Sequence, residues 1–188
     1  LILNSKNMHK RLSILTVTLE SRKQVFQNLA KALRSQANSS VEMLANSDNG
    51  EKTIGQKRNE LLQAARGDYV VFVDDDDMVS PFYTYGILKA IESNPDCCGI
   101  EGIITMRNVG PKKFIHSLQY DEWFEKDEIY FRCPNHLNPI KREIALEAGF
   151  PEKSWQEDQD FSYRLKGKLK TEVYIKGPIY FYYPSHIE

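Results

Sequence analysis

Four consecutive carboxylates, Asp74, Asp75, Asp76 and Asp77, follow the apolar run Val70-Val71-Phe72-Val73. A short run of that kind reads as a buried strand. Four like charges at a strand end repel one another, so something must offset them. Carboxylate oxygens readily replace water around Mn²⁺ or Mg²⁺, and a cation held by one or two carboxylates usually meets phosphate oxygens on its other side. Glu20 and Asp48 each lie just past another apolar run. Three strand ends are therefore expected to present acidic groups to one crevice. The stretch "GQKRN" (55–59) precedes the acidic strand. Lys57 and Arg58 there suit a phosphate, on a helix N-terminus that already favours anions. The competing reading is a solvated acidic turn.

These groups need a scaffold, and the chain supplies alternating signals for one. "LSILTVT" (12–18) predicts a strand, and 21–36 an amphipathic helix with Val25, Leu29, Ala32 and Leu33 on its buried face. Residues 40–45 predict a second strand and 56–67 a helix closed by Gly67. A third strand is expected over 68–73, then a helix over 80–95 with Ser80 at its N-cap and Pro81 in its first turn. That order means βαβ units and a mostly parallel sheet. After residue 96 the pattern changes to two strands around a turn at Gly110–Pro111. Helices follow at "REIALEAG" and "EDQDFSYRLKGKLK", then the late strands "TEVYIK" and "IYFYY". In such a sheet, ligands bind beyond the carboxyl ends of the parallel strands, where the acidic run lies.

Composition narrows the function classes. The 188 residues suit one domain, with 27% charged and 41% hydrophobic residues as in ordinary globular chains. Residues 1–10 read as disordered or as a cloning leader, with Met8 as the natural start. A formal net charge of −1 offers no positive field for coating nucleic acid, so a nucleic-acid partner is not expected. Three cysteines, two of them adjacent, make no disulfide framework and suit a reducing compartment. No apolar run is long enough to span a membrane. The expected location is the cytoplasm, with peripheral membrane attachment left open.

The stretch "TIGQKRNELLQAARGDYVVFVDDDDMVSP" resembles the nucleotide-sugar and metal segment of family-2-type GT-A glycosyltransferases, the acidic run standing for their D-x-D motif. "KREIALEAGFPE" resembles their Arg-containing helix and Gly-Phe turn, and "QEDQDFSYRL" the helix that carries the catalytic base. "LSILTVTLESR" matches the first strand less closely, with Val17-Thr18 in place of the usual Pro-Thr. The resemblance runs from about residue 12 to 186. "IGQKRN", "FIHSLQY" and "CPNHLNPIKRE" together resemble a compact subgroup of bacterial and viral or phage members.

The resemblance implies an α/β GT-A fold with a Rossmann-like nucleotide-sugar-binding half over about 11–96 and an acceptor-binding half over about 97–188. It implies a divalent cation, Mn²⁺ or Mg²⁺, and a nucleoside-diphosphate sugar donor, preferably UDP-linked. The acceptor would be a glycan, a protein or a lipid-linked group. Thr18, Glu20, Asp48, Lys57, Arg58, Asp74 and Asp75 are then implied nucleotide contacts, with Asp48 on the base and Arg58 near the diphosphate. Asp76, Asp74 and a late His186 are implied metal ligands. Asp158 is the implied general base of an inverting transfer, with Glu157 orienting it or touching the acceptor. His136 and Trp155 are acceptor candidates, set against hydrogen-bonded structural and plain packing roles. Tyr180 to Tyr183 read as a core strand. Two rivals remain: a non-catalytic nucleotide-sugar or glycan-binding module, and a haloacid-dehalogenase-type phosphohydrolase with Asp74 as nucleophile.

Overall fold

The computed structural model describes residues 9–106 and 110–183. Strand β1 (Leu12–Leu19) lies between β2 (Val41–Asp48) and β3 (Tyr69–Phe72), parallel to both. Helix α1 (Lys23–Arg34) joins the first two strands and α2 (Ile54–Ala64) leads into the third. This is the βαβ arrangement expected, and its parallel strands all end at the same edge of the sheet. Alternate residues of β3 and the residue after it face opposite layers. Val71 and Val73 pack with Leu29 and Leu33 of α1, whereas Val70 and Phe72 pack with Leu61 and Leu62 of α2.

Beyond β3 the sheet is mixed. The acidic run passes into a two-residue strand, β4 (Met78–Val79), and then into α3 (Tyr83–Ala90). Strand β5 (Cys97–Met106) pairs antiparallel with β6 (Gly110–His116). The short strands β7 (Phe124–Lys126) and β8 (Ile129–Arg132) extend that edge. Strand β9 (Ile140–Lys141) bridges β3 and β5, so one sheet runs through both halves of the chain. Helix α4 (Arg142–Ala148) and helix α5 (Glu157–Leu165) pack on the α2 side through Ala145, Phe161 and Leu165. The last strand, β10 (Glu172–Tyr182), pairs parallel with β5 and antiparallel with β4.

Several local expectations give way to tertiary contacts. Val25 is exposed, because α1 is entered through a 3-10 turn (Glu20–Arg22) and its buried stripe runs through Leu29, Ala30 and Leu33. Gly67 is no helix cap; α2 ends at Ala64, and a Cβ at Gly67 would lie 2.6 Å from the Ser13 backbone nitrogen. That glycine serves a close approach between the chain and β1. Ser80 does not cap α3, whose N-cap is Phe82; its backbone N–H instead donates to Ile179 of the last strand. Gly110 and Pro111 begin β6, and residues 107–109 before them lie outside the described residues. The two late strands are one, interrupted by a register shift at Gly177-Pro178, where Gly177 takes φ 86°.

Candidate active site

The ends of β1, β2 and β3 converge as their parallel register requires. Leu19 pairs with Asp48, and Val73 N–H donates to Leu15. These contacts bring the four carboxylates alongside the last residues of β1, past the end of β3. Each is then held differently. Asp75 is buried and accepts from Thr18 Oγ1 at 2.6 Å and from Arg22 Nε and Nη2 at 2.8 and 2.7 Å. A bidentate guanidinium of this kind fixes both position and orientation of a carboxylate. The same Arg22 Nη2 reaches Asp76 at 3.0 Å. Asp74 accepts from Arg58 Nη2 at 3.1 Å and lies 3.4 Å from His136 Nε2. Asp77 is almost wholly buried, accepting from Tyr180 Oη at 2.6 Å and Tyr183 N–H at 2.8 Å.

The electrostatics separate the two ends of the run. Burial opposes ionisation of Asp74, but His136 and Arg58 outweigh it and hold this carboxyl well below its usual range. Burial, reinforced by the charge of Asp74, pushes Asp77 up to about 8. Four carboxyl groups thus coexist because two arginines offset Asp74, Asp75 and Asp76, while Asp77, held by Tyr180, favours its neutral form. Arg22 and Tyr180 were not legible as site residues in the sequence. The position of Arg22 just past the first strand was a signal; Tyr180 gave none beyond its apolar neighbours.

Helix α2 supplies the cations from behind. Thr53 closes its start with a capping box, its side chain accepting from Gln56 N–H and its own N–H donating to Gln56 Oε1. Ile54 N–H donates to Ser154 Oγ at 3.1 Å and Gly55 N–H to the Lys153 carbonyl at 3.0 Å. The N–H groups expected to favour a phosphate therefore have protein partners. Lys57, buried, donates to Asp48 Oδ1 at 2.6 Å and to the Thr18 carbonyl at 2.9 Å. That bond, with the N–H groups of Lys52 and Gly50, lowers Asp48 to about 2. Thr18, Asp48 and Lys57 form one connected group.

The second acidic segment arrives from the other half of the chain. Glu157 opens α5 directly after Gln156, which takes a left-handed φ of 59°. Glu157 is buried, and its Oε1 is 3.5 Å from the Arg58 Nη2 that also holds Asp74. Asp158 is partly buried beside it and exerts its charge on Arg132, whose guanidinium is 4.4 Å from the Trp123 ring centre. Among the candidates, Thr18, Asp48, Lys57, Arg58, Asp74, Asp75, Asp76, His136, Glu157 and Asp158 gather along the strand ends and the start of α5. Glu20 is exposed in the 3-10 turn. Trp155 is 78% exposed in the loop before α5. His186 lies outside the described residues.

A cavity of about 300 Å³ lies at the opposite edge of the sheet, near Tyr69 and Lys141, and another of about 650 Å³ flanks α2 near Gln56 and Glu60. The donor set fits a divalent cation shared with a ligand rather than an all-protein cage. Asp74 and Asp76 have the more open side chains, 30% and 19% exposed against 8% for Asp75. Among the described residues no group of three or more His, Cys, Asp or Glu side chains is arranged to hold a metal ion by itself. Mg²⁺ and Mn²⁺ bound through phosphates need only one or two carboxylates.

Comparison with known proteins decides the family. Residues 13–148 match the family described as Glycosyl transferase family 2, which is most of the chain. The chain belongs to that family. A Bacillus subtilis (strain 168) relative, "Putative glycosyltransferase EpsH", is 26% identical over 142 residues, covering 69% of this chain and 41% of its own. Crystal structures of S. aureus TarS 1–349 share the fold, with a TM-score of 0.69 at 17% identity for one covering 92% of this chain and 60% of TarS 1–349. A second, in complex with UDP-GlcNAc, gives 0.63 at 16% identity, with 95% and 60% covered. This family-2 chain therefore spans about two fifths of EpsH and three fifths of TarS 1–349. The α/β GT-A architecture expected from the motifs is present. The phosphohydrolase alternative does not survive the family match. Among the described residues no helix is long and apolar enough to cross a membrane.

Proposed function

We propose that this protein transfers a sugar from a nucleoside-diphosphate sugar, with UDP as the nucleotide, to an acceptor hydroxyl with inversion at the anomeric carbon. One observation carries the reading: Asp74 of the acidic run and Glu157 of α5, far apart in sequence, meet at Arg58. That meeting gives one crevice a donor end and an acceptor end. The relatives add support, since TarS structures hold UDP-GlcNAc and UDP.

In this reading Thr18, Glu20, Asp48, Lys57, Arg58 and Asp75 form the nucleotide end. Lys57 fixes Asp48 for the base, and Arg22 with Thr18 fixes Asp75 for the ribose. Asp76 and Asp74, together with His186, would hold Mn²⁺ or Mg²⁺. When bound, such a cation supplies positive charge against the departing diphosphate. Asp158 accepts the acceptor proton as the hydroxyl attacks from the face opposite the nucleotide, and Glu157 holds the start of α5. No second carboxylic acid is needed, because a nucleoside diphosphate leaves without protonation of the glycosidic oxygen. Trp155 and His136 flank the acceptor path, and the acceptor is a glycan, protein or lipid-linked hydroxyl.

The test is a panel of nucleotide sugars incubated with Mn²⁺, first without acceptor and then with candidate acceptors. Slow release of UDP from one donor, accelerated by an acceptor, is the expected result. Tight donor binding without any turnover would instead make this a nucleotide-sugar-binding module.

A further inference from the structure

Arg58 is placed unlike a side chain that simply meets a ligand. Arg58 is 5% exposed, and its guanidinium carbon lies against both Phe72 and Phe150, 5.2 and 5.4 Å from the ring centres. One nitrogen, Nη2, donates to Asp74 at 3.1 Å and lies 3.5 Å from Glu157. Nε and Nη1 are buried without a hydrogen-bond partner among the described residues. Asp74 follows β3 and belongs to the donor end. Glu157 opens α5 and belongs to the acceptor end. A single nitrogen thus serves both.

The surroundings leave Arg58 little freedom to do anything else. The helix that carries it is fastened to the segment leading into α5. Asn59 Nδ2 donates to the Phe150 carbonyl at 2.9 Å, and Phe150 N–H donates back to Asn59 Oδ1 at 2.8 Å. Gln56 Nε2 reaches Glu152 at 3.1 Å. A Cβ on Gly55 would lie 1.8 Å from the Pro151 carbonyl oxygen, so α2 and this segment are in direct contact. With its stem held by α2 and one side against the two rings, the guanidinium has two carboxylates to serve, Asp74 and Glu157. Side-chain exposures of 6% for Arg58 and 7% for Glu157 keep water from screening that pair.

We infer that Arg58 is a positioning residue that couples donor binding at Asp74 to the placement of Glu157, and through it of Asp158, at the start of α5. The inference rests on the proposed function and deepens it. When a donor and its cation engage Asp74, the demand of that carboxylate on Arg58 Nη2 falls. The guanidinium then serves Glu157 more fully and holds the first turn of α5 toward the sugar. Conversely, neutralising Glu157 leaves Arg58 wholly to Asp74 and makes that carboxylate a poorer donor-site group. Linkage requires the two effects to be reciprocal.

A double-mutant cycle on donor binding tests this. UDP affinity in Mn²⁺ is measured by calorimetry for the parent, Glu157→Gln, Arg58→Met and the double variant. Glu157→Gln should weaken UDP binding about two- to tenfold in the parent, the size expected for members of one charge network. In the Arg58→Met background the same substitution should change it by less than about 1.5-fold. Arg58→Lys, which keeps the charge but cannot serve two carboxylates in a fixed plane, stands in if Arg58→Met does not fold. A residue that only fills space would give equal effects of Glu157→Gln in both backgrounds, and that result overturns the coupling. Failure of the parent to bind UDP overturns the proposed function itself, so the two failures are distinguishable.

Discussion

The two acidic segments differ in how firmly the chain holds them. In the run from Asp74 to Asp77, Asp75 receives three hydrogen bonds from Thr18 and Arg22, and Asp77 receives two from Tyr180 and Tyr183. At the start of α5, Glu157 leans on Arg58 alone among the described residues, and Asp158 acts on Arg132 only through its charge. A nucleotide end benefits from groups set in advance, because ordering them on binding would subtract from affinity. A base must instead meet acceptor and proton in a geometry completed when the acceptor arrives. Under the proposed function the contrast is a division of labour: firmly held groups for the donor, and more loosely held ones for proton transfer.

The largest effect should come from removing the proposed base. Asp158→Asn keeps the shape but cannot take the acceptor proton, and general-base loss typically costs about 10²- to 10⁴-fold in rate. Steady-state transfer to whichever acceptor the panel identifies checks this. A parent-like rate would mean that the base lies elsewhere.

The firm segment should reveal itself in pH dependence. Asp77 in the fold titrates near 8, above its unfolded value of about 3.9. The folded state therefore binds the extra proton between those values. Its contribution is complete below about pH 4 and is lost as pH rises through about 8. The stability lost this way approaches about 1.4 kcal/mol per pH unit at most. Urea unfolding from pH 5 to 9 should show parent stability falling with a steeper slope than that of Asp77→Asn. Equal slopes would remove the buried carboxyl from the account. Asp74 has the opposite sign, its contribution fading only as pH falls through the acid range.

A smaller effect should follow from loosening the joint between the two segments. Gly55→Ala forces a methyl against the Pro151 carbonyl and must displace the segment before α5. Overpacking of this kind costs about 1–3 kcal/mol, read as a lowered urea midpoint. Transfer should fall with it, and UDP affinity by no more than the about two- to tenfold expected for Glu157→Gln. Unchanged stability would show that the segment yields freely.

Much of this arrangement was legible because it rests on short-range pattern. The first three strands and their helices declare themselves by apolar runs and amphipathic spacing, and the acidic run by its place after a buried strand. The second half was harder. Strands β4 and β9 have two residues each, too short for any periodicity, and they exist because β10, β3 and β5 offer edges to pair with. Val25 follows a helical stripe that the 3-10 turn before α1 shifts away from the core. The carboxylates could be nominated from sequence, but their partners could not. Arg22 and Tyr180 reach them only through the final packing of strand ends, and Arg58 joins Asp74 to Glu157 across the whole chain.

The central claim is that the crevice divides into a donor end at the acidic run and an acceptor end at α5. Calorimetry of UDP in Mn²⁺ tests it most directly, with parent, Asp76→Asn and Asp158→Asn measured side by side and again with chelator. The account predicts that Asp158→Asn binds UDP within a few-fold of the parent. It predicts that Asp76→Asn binds about ten- to a hundredfold more weakly, the loss expected when a charged contact goes. Chelator should bring the parent down toward the Asp76→Asn value. Equal affinities for all three proteins, with and without metal, would contradict the division.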